Sequence, residues 1–271
     1  MRLRGWLLAL GTLSLVGGSA CSGDGDGDDD TTTSSSTLTG AETTGETGDG
    51  DGDGDGDATS GDGDGDATTG DGDGDGDFAG TLYLNFEGVE LLEGSDDSKT
   101  NTTQISEMVG TAAPYGGTDE HLYVAQAVAD RLSAFSIQVV IERPTSGDYT
   151  MMVITPTNPF GGNTSGIGPS DCNNANANNI GYAFYGFDSS QNAQQQASGI
   201  LRIFGFTHGL ENVVTSTDIM SAQAASPMPT FKDECIALAS PPSGCGTQHE
   251  AYCDAGQQNS YQELQGFYPA P

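Results

Sequence analysis

The chain contains three histidines in 271 residues, so these and the cysteines bound the chemistry it could perform. His249-Glu250-Ala251-Tyr252-Cys253 has H-E-x-x-C spacing, in which an imidazole and a thiolate one helical turn apart could share a metal ion. No glycine turn or third ligand follows, and an oxidised Cys253 could not ligate, so a chance match is the expected reading. Cys172 and His208 could form a nucleophile and its base; the plainer expectation is a disulfide cysteine and a surface histidine. His121, beside Asp119 and Glu120, reads as a solvated helix start. There is no phosphate-binding glycine loop, since the Gly-Asp tract is acidic and would repel phosphate.

The stretch Ala197 to Val213, followed by Asp218-Ile219-Met220, organises the rest. Ala193, Ala197, Ile200, Leu201 and Phe204 fall at helical spacing, which predicts a helix with one stripe on a core. Gly209 is expected to stop it, as a glycine just past the last turn does.

With its glycine on Gly209, this stretch resembles the H-E-x-x-H-x-x-G-x-x-H helix and methionine turn of metzincin-type zinc metallopeptidases. The three ligand positions then fall on Arg202, Phe206 and Asn212, the general base on Ile203, and the turn methionine on Met220. Leu210, Glu211 and Val213 are similar to the G-L-E-H-V version in exported bacterial relatives. The phrase Tyr83-Leu-Asn-Phe-Glu-Gly-Val89 resembles their opening strand, and Gln258 to Leu264 resembles part of their C-terminal region. The resemblance spans about 140 residues, and the scaffold positions match it while the four chemical positions do not.

The chemistry of those four changes is one-sided. A catalytic zinc needs three protein ligands and an open position for water. Arg202 has no lone pair to offer, Phe206 has no ligating atom, and Asn212 offers an amide oxygen, a poor match for zinc. Ile203 cannot take a proton from the attacking water. The expected activity is therefore none of this type, with no metal and no cofactor. A fixed cation at Arg202 could still attract a carboxylate. The alternatives are an active zinc metalloendopeptidase using unusual ligands such as His208, Asp218 or His249, and a purely structural surface protein.

Composition fixes the setting. Residues 22–77 hold 19 acidic side chains and no Lys or Arg, and the net charge is −32. Phosphate recognition needs a cationic surface, so nucleic acid is not an expected partner. Residues 1–21 read as a bacterial export signal, with Arg2 and Arg4 ahead of the apolar run Trp6 to Val16, too short to span a membrane. Gly18-Ser19-Ala20-Cys21 allows either cleavage before a lipidated Cys21 or ordinary cleavage after Ala20. The cysteine at the end of the apolar run, followed by a tether, favours lipidation and a membrane anchor there. The expected location is the bacterial envelope, as an outer-membrane lipoprotein or a secreted protein. Residues 22–77, Gly-Asp repeats broken by Thr/Ser patches, have too little apolar surface to fold and read as a solvated spacer. Their D-x-D-x-D-G spacing lacks the closing Glu of a calcium loop.

Residues 78–271 are then the folded domain, long enough for one core. Strands are expected at Thr81–Phe86, Phe135–Glu142, Tyr149–Thr155 and Ile180–Tyr185, with an edge strand at 166–168. A helix is expected over Asp119–Leu132, with Leu122, Ala125, Val128, Ala129 and Leu132 on its buried side. Ser95–Thr103 reads as loop, Phe231–Leu238 as one or two helical turns, and Asn259–Leu264 as a capped helix. This order implies an α/β (α+β) fold: a twisted, mostly parallel sheet of about five strands, the metzincin-like helix and Met turn, and an irregular C-terminal part. The edge strand could hold a peptide by strand addition without cutting it. Four cysteines in an exported domain imply two disulfides, with Cys235–Cys245 and Cys172–Cys253 as the expected pairing. The expected protein is an exported, lipid-anchored pseudopeptidase that binds peptide or protein in a cleft.

Overall fold

A computed structural model describes residues 78–222 and 228–271; the expected signal segment, Cys21 and the acidic spacer 22–77 lie outside the described residues. In chain order the elements are β1 (Gly80–Asn85), β2 (Val89–Glu93), β3 (Thr102–Thr103), β4 (Gly110–Ala112), α1 (Glu120–Leu132), β5 (Ile137–Val140), β6 (Thr150–Ile154), β7 (Gly166–Ile167), β8 (Ile180–Ala183), α2 (Ala193–Phe206), β9 (Ile236–Ala237), α3 (Gly246–His249), β10 (Gln257–Gln258) and α4 (Ser260–Phe267).

The main sheet runs β5-β1-β6-β8-β7. Its first four strands are parallel, and β7 closes the edge antiparallel to β8. Side chains alternate across this sheet. Leu82, Leu84, Met152 and Ile154 share one core with Val128, Leu132, Ile200 and Phe204 of α1 and α2. Tyr83, Met151, Val153 and Tyr182 share another with Leu91, Met108 and Ala112. The second face is covered by a small sheet of order β3-β2-β4. Burial on both faces is why the central strands read as continuous apolar runs. The mostly parallel five-stranded sheet and mixed α/β character expected from the sequence are present, with four α-helices among the described residues.

Several local expectations need correction. The buried face of α1 carries Val124, Ala127, Val128 and Leu132, whereas Leu122 is exposed, because the face that packs against α2 is the one with Val124; Arg131 joins the two helices. That guanidinium donates to Ser198 Oγ at 2.6 Å and Gln194 Oε1 at 2.7 Å. The segment 231–238 is extended, not helical: Ile236 pairs with Gln258, and Leu238 bridges Val213. The end of the expected loop 95–103 forms β3 against β2. The disulfides are Cys172–Cys245 and Cys235–Cys253, so both halves of the expected pairing are exchanged. The β9–β10 pairing draws the chain before β10 alongside Cys235, and Cys245 at the start of α3 sits beside the loop that carries Cys172. Two disulfides fit an oxidising, extracellular type of environment, and no helix among the described residues is long and apolar enough to cross a membrane.

Candidate functional site

Helix α2 opens on a capping box: Asn192 accepts from Gln195 N, and the Gln195 side chain accepts from Asn192 N. It buries Ala197, Ile200, Leu201, Ile203 and Phe204. Its end is fixed by Gly209, whose φ of +79° suits glycine and whose Cβ, if present, would lie 2.4 Å from Gln248 Oε1. The bond from Leu210 N to Gly205 O closes the last turn and redirects the chain toward Asn212.

The reversal at Gly209 brings three separated side chains together. Arg202 Nε and Nη2 donate to Asn212 Oδ1 at 3.1 and 2.7 Å, and the guanidinium carbon lies 5.4 Å from the centre of the Phe206 ring. Among the described residues no carboxylate pairs with Arg202. Burial lowers its pKa, opposed by the nearby Tyr185 hydroxyl. Phe206, Leu210, Glu211, Asn212 and Ser243 line an adjoining hollow of about 300 Å³, which Gly168, next along the chain from β7, also borders. The hollow thus begins one residue past β7.

Two supports lie beneath. Met220 is fully buried under α2, and a Cβ on Gly205 would come 2.3 Å from its sulfur. Ile203 fills a slot walled by glycines of β7, β8 and the loop between them: a Cβ on Gly166, Gly168 or Gly181 would meet its side chain at 2.8, 3.1 or 2.9 Å. The slot that Ile203 occupies is apolar, and no proton acceptor of its own stands there. The residues present at positions 202, 203, 206 and 212 do not fit a zinc centre: a cation, an aliphatic group, a ring and an amide already bonded to that cation.

The other candidates are engaged elsewhere. Asp218, fully buried, accepts from Met220 N, Lys232 N and Ser260 Oγ at 2.7, 3.1 and 2.6 Å. Burial raises its pKa despite those bonds. His208, expected at the surface, is fully buried. Its Nδ1 lies 2.8 Å from Phe204 O, an acceptor only, so Nδ1 carries the proton and Nε2 accepts from Tyr268 Oη at 2.7 Å. Desolvation pushes its pKa down to about 4. It has no thiol to activate, since Cys172 is bonded to Cys245. The H-E-x-x-C match also dissolves, because Cys253 is oxidised and Glu250 is exposed. His121 is not simply solvated: it lies half-buried, its ring 5.2 Å from that of Phe86.

His249 takes a different role. Its Nδ1 is 2.9 Å from Glu263 Oε2 and its Nε2 is 3.9 Å from Glu211 Oε1. Burial works against the imidazolium, but the two carboxylates outweigh it and raise the pKa to about 9. Burial likewise opposes ionisation of Glu211, yet His249 and the N–H and O–H of Ser243 hold its carboxyl below the usual range. Gln248 completes the set, donating to His208 O and Glu263 Oε2. This network pins α3, α4 and the wall of the hollow to the end of α2. Sequence reasoning misses it, because its members lie far apart in the chain and no spacing links them; Glu211 and His249 stand out there only as parts of unrelated motifs.

Among the described residues no group of three or more His, Cys, Asp and Glu side chains is placed to hold a metal ion. No protein-family model matches the chain, and no curated protein matches it either.

Proposed function

We propose that this chain is an exported, non-catalytic relative of metzincin-type zinc peptidases, anchored through Cys21, that holds an extended peptide along β7 and in the neighbouring hollow without cutting it. The observation that carries the reading is the meeting of Arg202, Phe206 and Asn212 around one guanidinium, with Met220 packed beneath Gly205. Residues at these spacings on a helix and the turn after it meet where three ligands would converge on one ion. Ile203, packed among glycines, stands where that chemistry requires a carboxylate. The reading requires no zinc and no cofactor.

Binding without cleavage has a physical basis in the sheet edge. β7 pairs with β8 on one side, no strand among the described residues pairs its other edge, and an added strand would supply main-chain partners there. The Phe206 ring and Leu210 give the hollow an apolar floor for one side chain. The test is to incubate the full chain with a library of extended peptides in the presence of zinc and to analyse bound and free peptides by mass spectrometry. The expected result is saturable retention of a subset, all intact. Cleavage that a chelator abolishes would overturn the proposal.

A further inference from the structure

The Arg202–Asn212 pair has an asymmetry that points to a ligand. Guanidinium N–H groups can only donate, so the Asn212 amide must turn its oxygen toward Nε and Nη2, as the distances of 3.1 and 2.7 Å require. Asn212 lines the hollow, and its Nδ2 group makes no hydrogen bond to a described residue. Nη1 of Arg202 makes none either. The backbone of Asn212 is held by Ala239 N, which donates to its carbonyl at 2.7 Å, and the two bonds from Arg202 hold its side-chain amide. The Phe206 ring fixes the guanidinium plane from one side.

The charged side chain that borders the hollow is already committed. Glu211 borders the same hollow, but its oxygens accept from Ser243 N and Oγ and face His249. Lys99 pairs with Asp148, and Arg143 donates to Ser98 O, both away from the hollow. A fixed cation with donors to spare beside an amide with donors to spare is complementary to a planar anion with two acceptor oxygens.

We propose that Arg202 and Asn212 form a receptor for a carboxylate carried by the bound peptide. This rests on the peptide-holding reading above and gives it a ligand chemistry. The carboxylate could be a C-terminus or an Asp/Glu side chain, and the geometry at the guanidinium is the same for both.

The test uses the full chain and four probes: acetyl-Ala-Ala-Ala with a free C-terminus, its C-terminal amide, acetyl-Ala-Glu-Ala-amide, and the Gln counterpart of the last. Binding is followed by NMR at the Arg202 Nε–H and Asn212 side-chain signals. One carboxylate peptide is expected to bind at least tenfold more tightly than its neutral counterpart, as loss of charge-assisted bonds implies. Preference for the free terminus identifies a C-terminal carboxylate, and preference for Glu identifies a side chain. Arg202→Gln should erase the preference. The comparison between ligands needs no protein variant, so it holds even where Arg202→Gln fails to fold. Equal binding of charged and neutral probes overturns the carboxylate receptor and leaves peptide holding intact. If none of the four binds, the receptor also fails, while the library experiment decides peptide holding separately.

Discussion

Gly205→Ala tests whether the Met220 support is a tight structural fit. In an exposed helix interior, replacing glycine with alanine stabilises by about 1 kcal/mol. Here the added Cβ would sit 2.3 Å from Met220 Sδ and 3.0 Å from its Cε, with Leu210 Cδ1 behind at 3.3 Å. Met220 is fully buried, so the sulfur must move by more than about 1 Å within a filled core. Overpacking of this kind costs about 1–3 kcal/mol, which should offset the helical gain and leave Gly205→Ala roughly 0–2 kcal/mol less stable. Met220→Ala alone should cost about 2–5 kcal/mol by leaving a cavity. The two changes share that space, so the double variant should be less destabilised than their sum by about 1–2 kcal/mol. Urea unfolding of the four proteins gives the cycle. Stabilisation by Gly205→Ala, or additivity within about 0.5 kcal/mol, would refute the packing argument.

Two further perturbations follow from the same geometry. Ile203→Val should cost about 1 kcal/mol in urea unfolding, whereas Ile203→Glu should cost roughly 3 kcal/mol or more, because an unpaired carboxylate would enter a slot walled by glycine backbone and Ile203's apolar neighbours. Equal costs would mean the slot is open to water. The two buried histidines should give opposite pH slopes. His208 has a folded pKa of about 4, below its unfolded value of about 6.5, so its contribution is present above about pH 6.5 and is lost as pH falls through 4. The full loss is about 3 kcal/mol. His249 has a folded pKa of about 9, so its contribution is present below about pH 6.5 and is lost as pH rises through 9. Unfolding measured from about pH 4 to 10 should show His208→Gln flattening the acid limb and His249→Gln flattening the alkaline limb; no change in either limb would contradict the assigned environments.

The parts of the fold legible in the sequence are those with one dominant periodicity. The central strands β1, β6 and β8 are apolar on both faces and have no competing pattern, and α2 combines a clean stripe with a glycine stop. In α1 two stripes overlap, one through Leu122 and one through Val124, and only packing against α2 selects the second. The small sheet was not legible, because β2 buries only Leu91 among five residues and its partners are two and three residues long. The segment 231–238 offered Phe231, Ile236 and Leu238, of which Phe231 and Leu238 sit two helical turns apart and suit a helix; pairing with β10 decides for the strand. The disulfide pairing depended on where α3 and β10 lie, which no local pattern encodes. At the site, the turn at Gly209 was legible from the glycine after the apolar stripe, and that turn brings Asn212 back to Arg202. The burial of His208 was not, since the Tyr268 hydroxyl that satisfies it arrives from 60 residues away.

The proposed ancestry puts Arg202, Phe206 and Asn212 at three ligand positions from which the donor atoms have been lost. The most direct measurement is the zinc content of the variant Arg202→His/Phe206→His/Asn212→His, compared with the parent chain after the same zinc exposure and dialysis. The account predicts one tightly held zinc per folded variant chain and none in the parent. A folded variant that retains no zinc, or a parent chain that retains one, would contradict it.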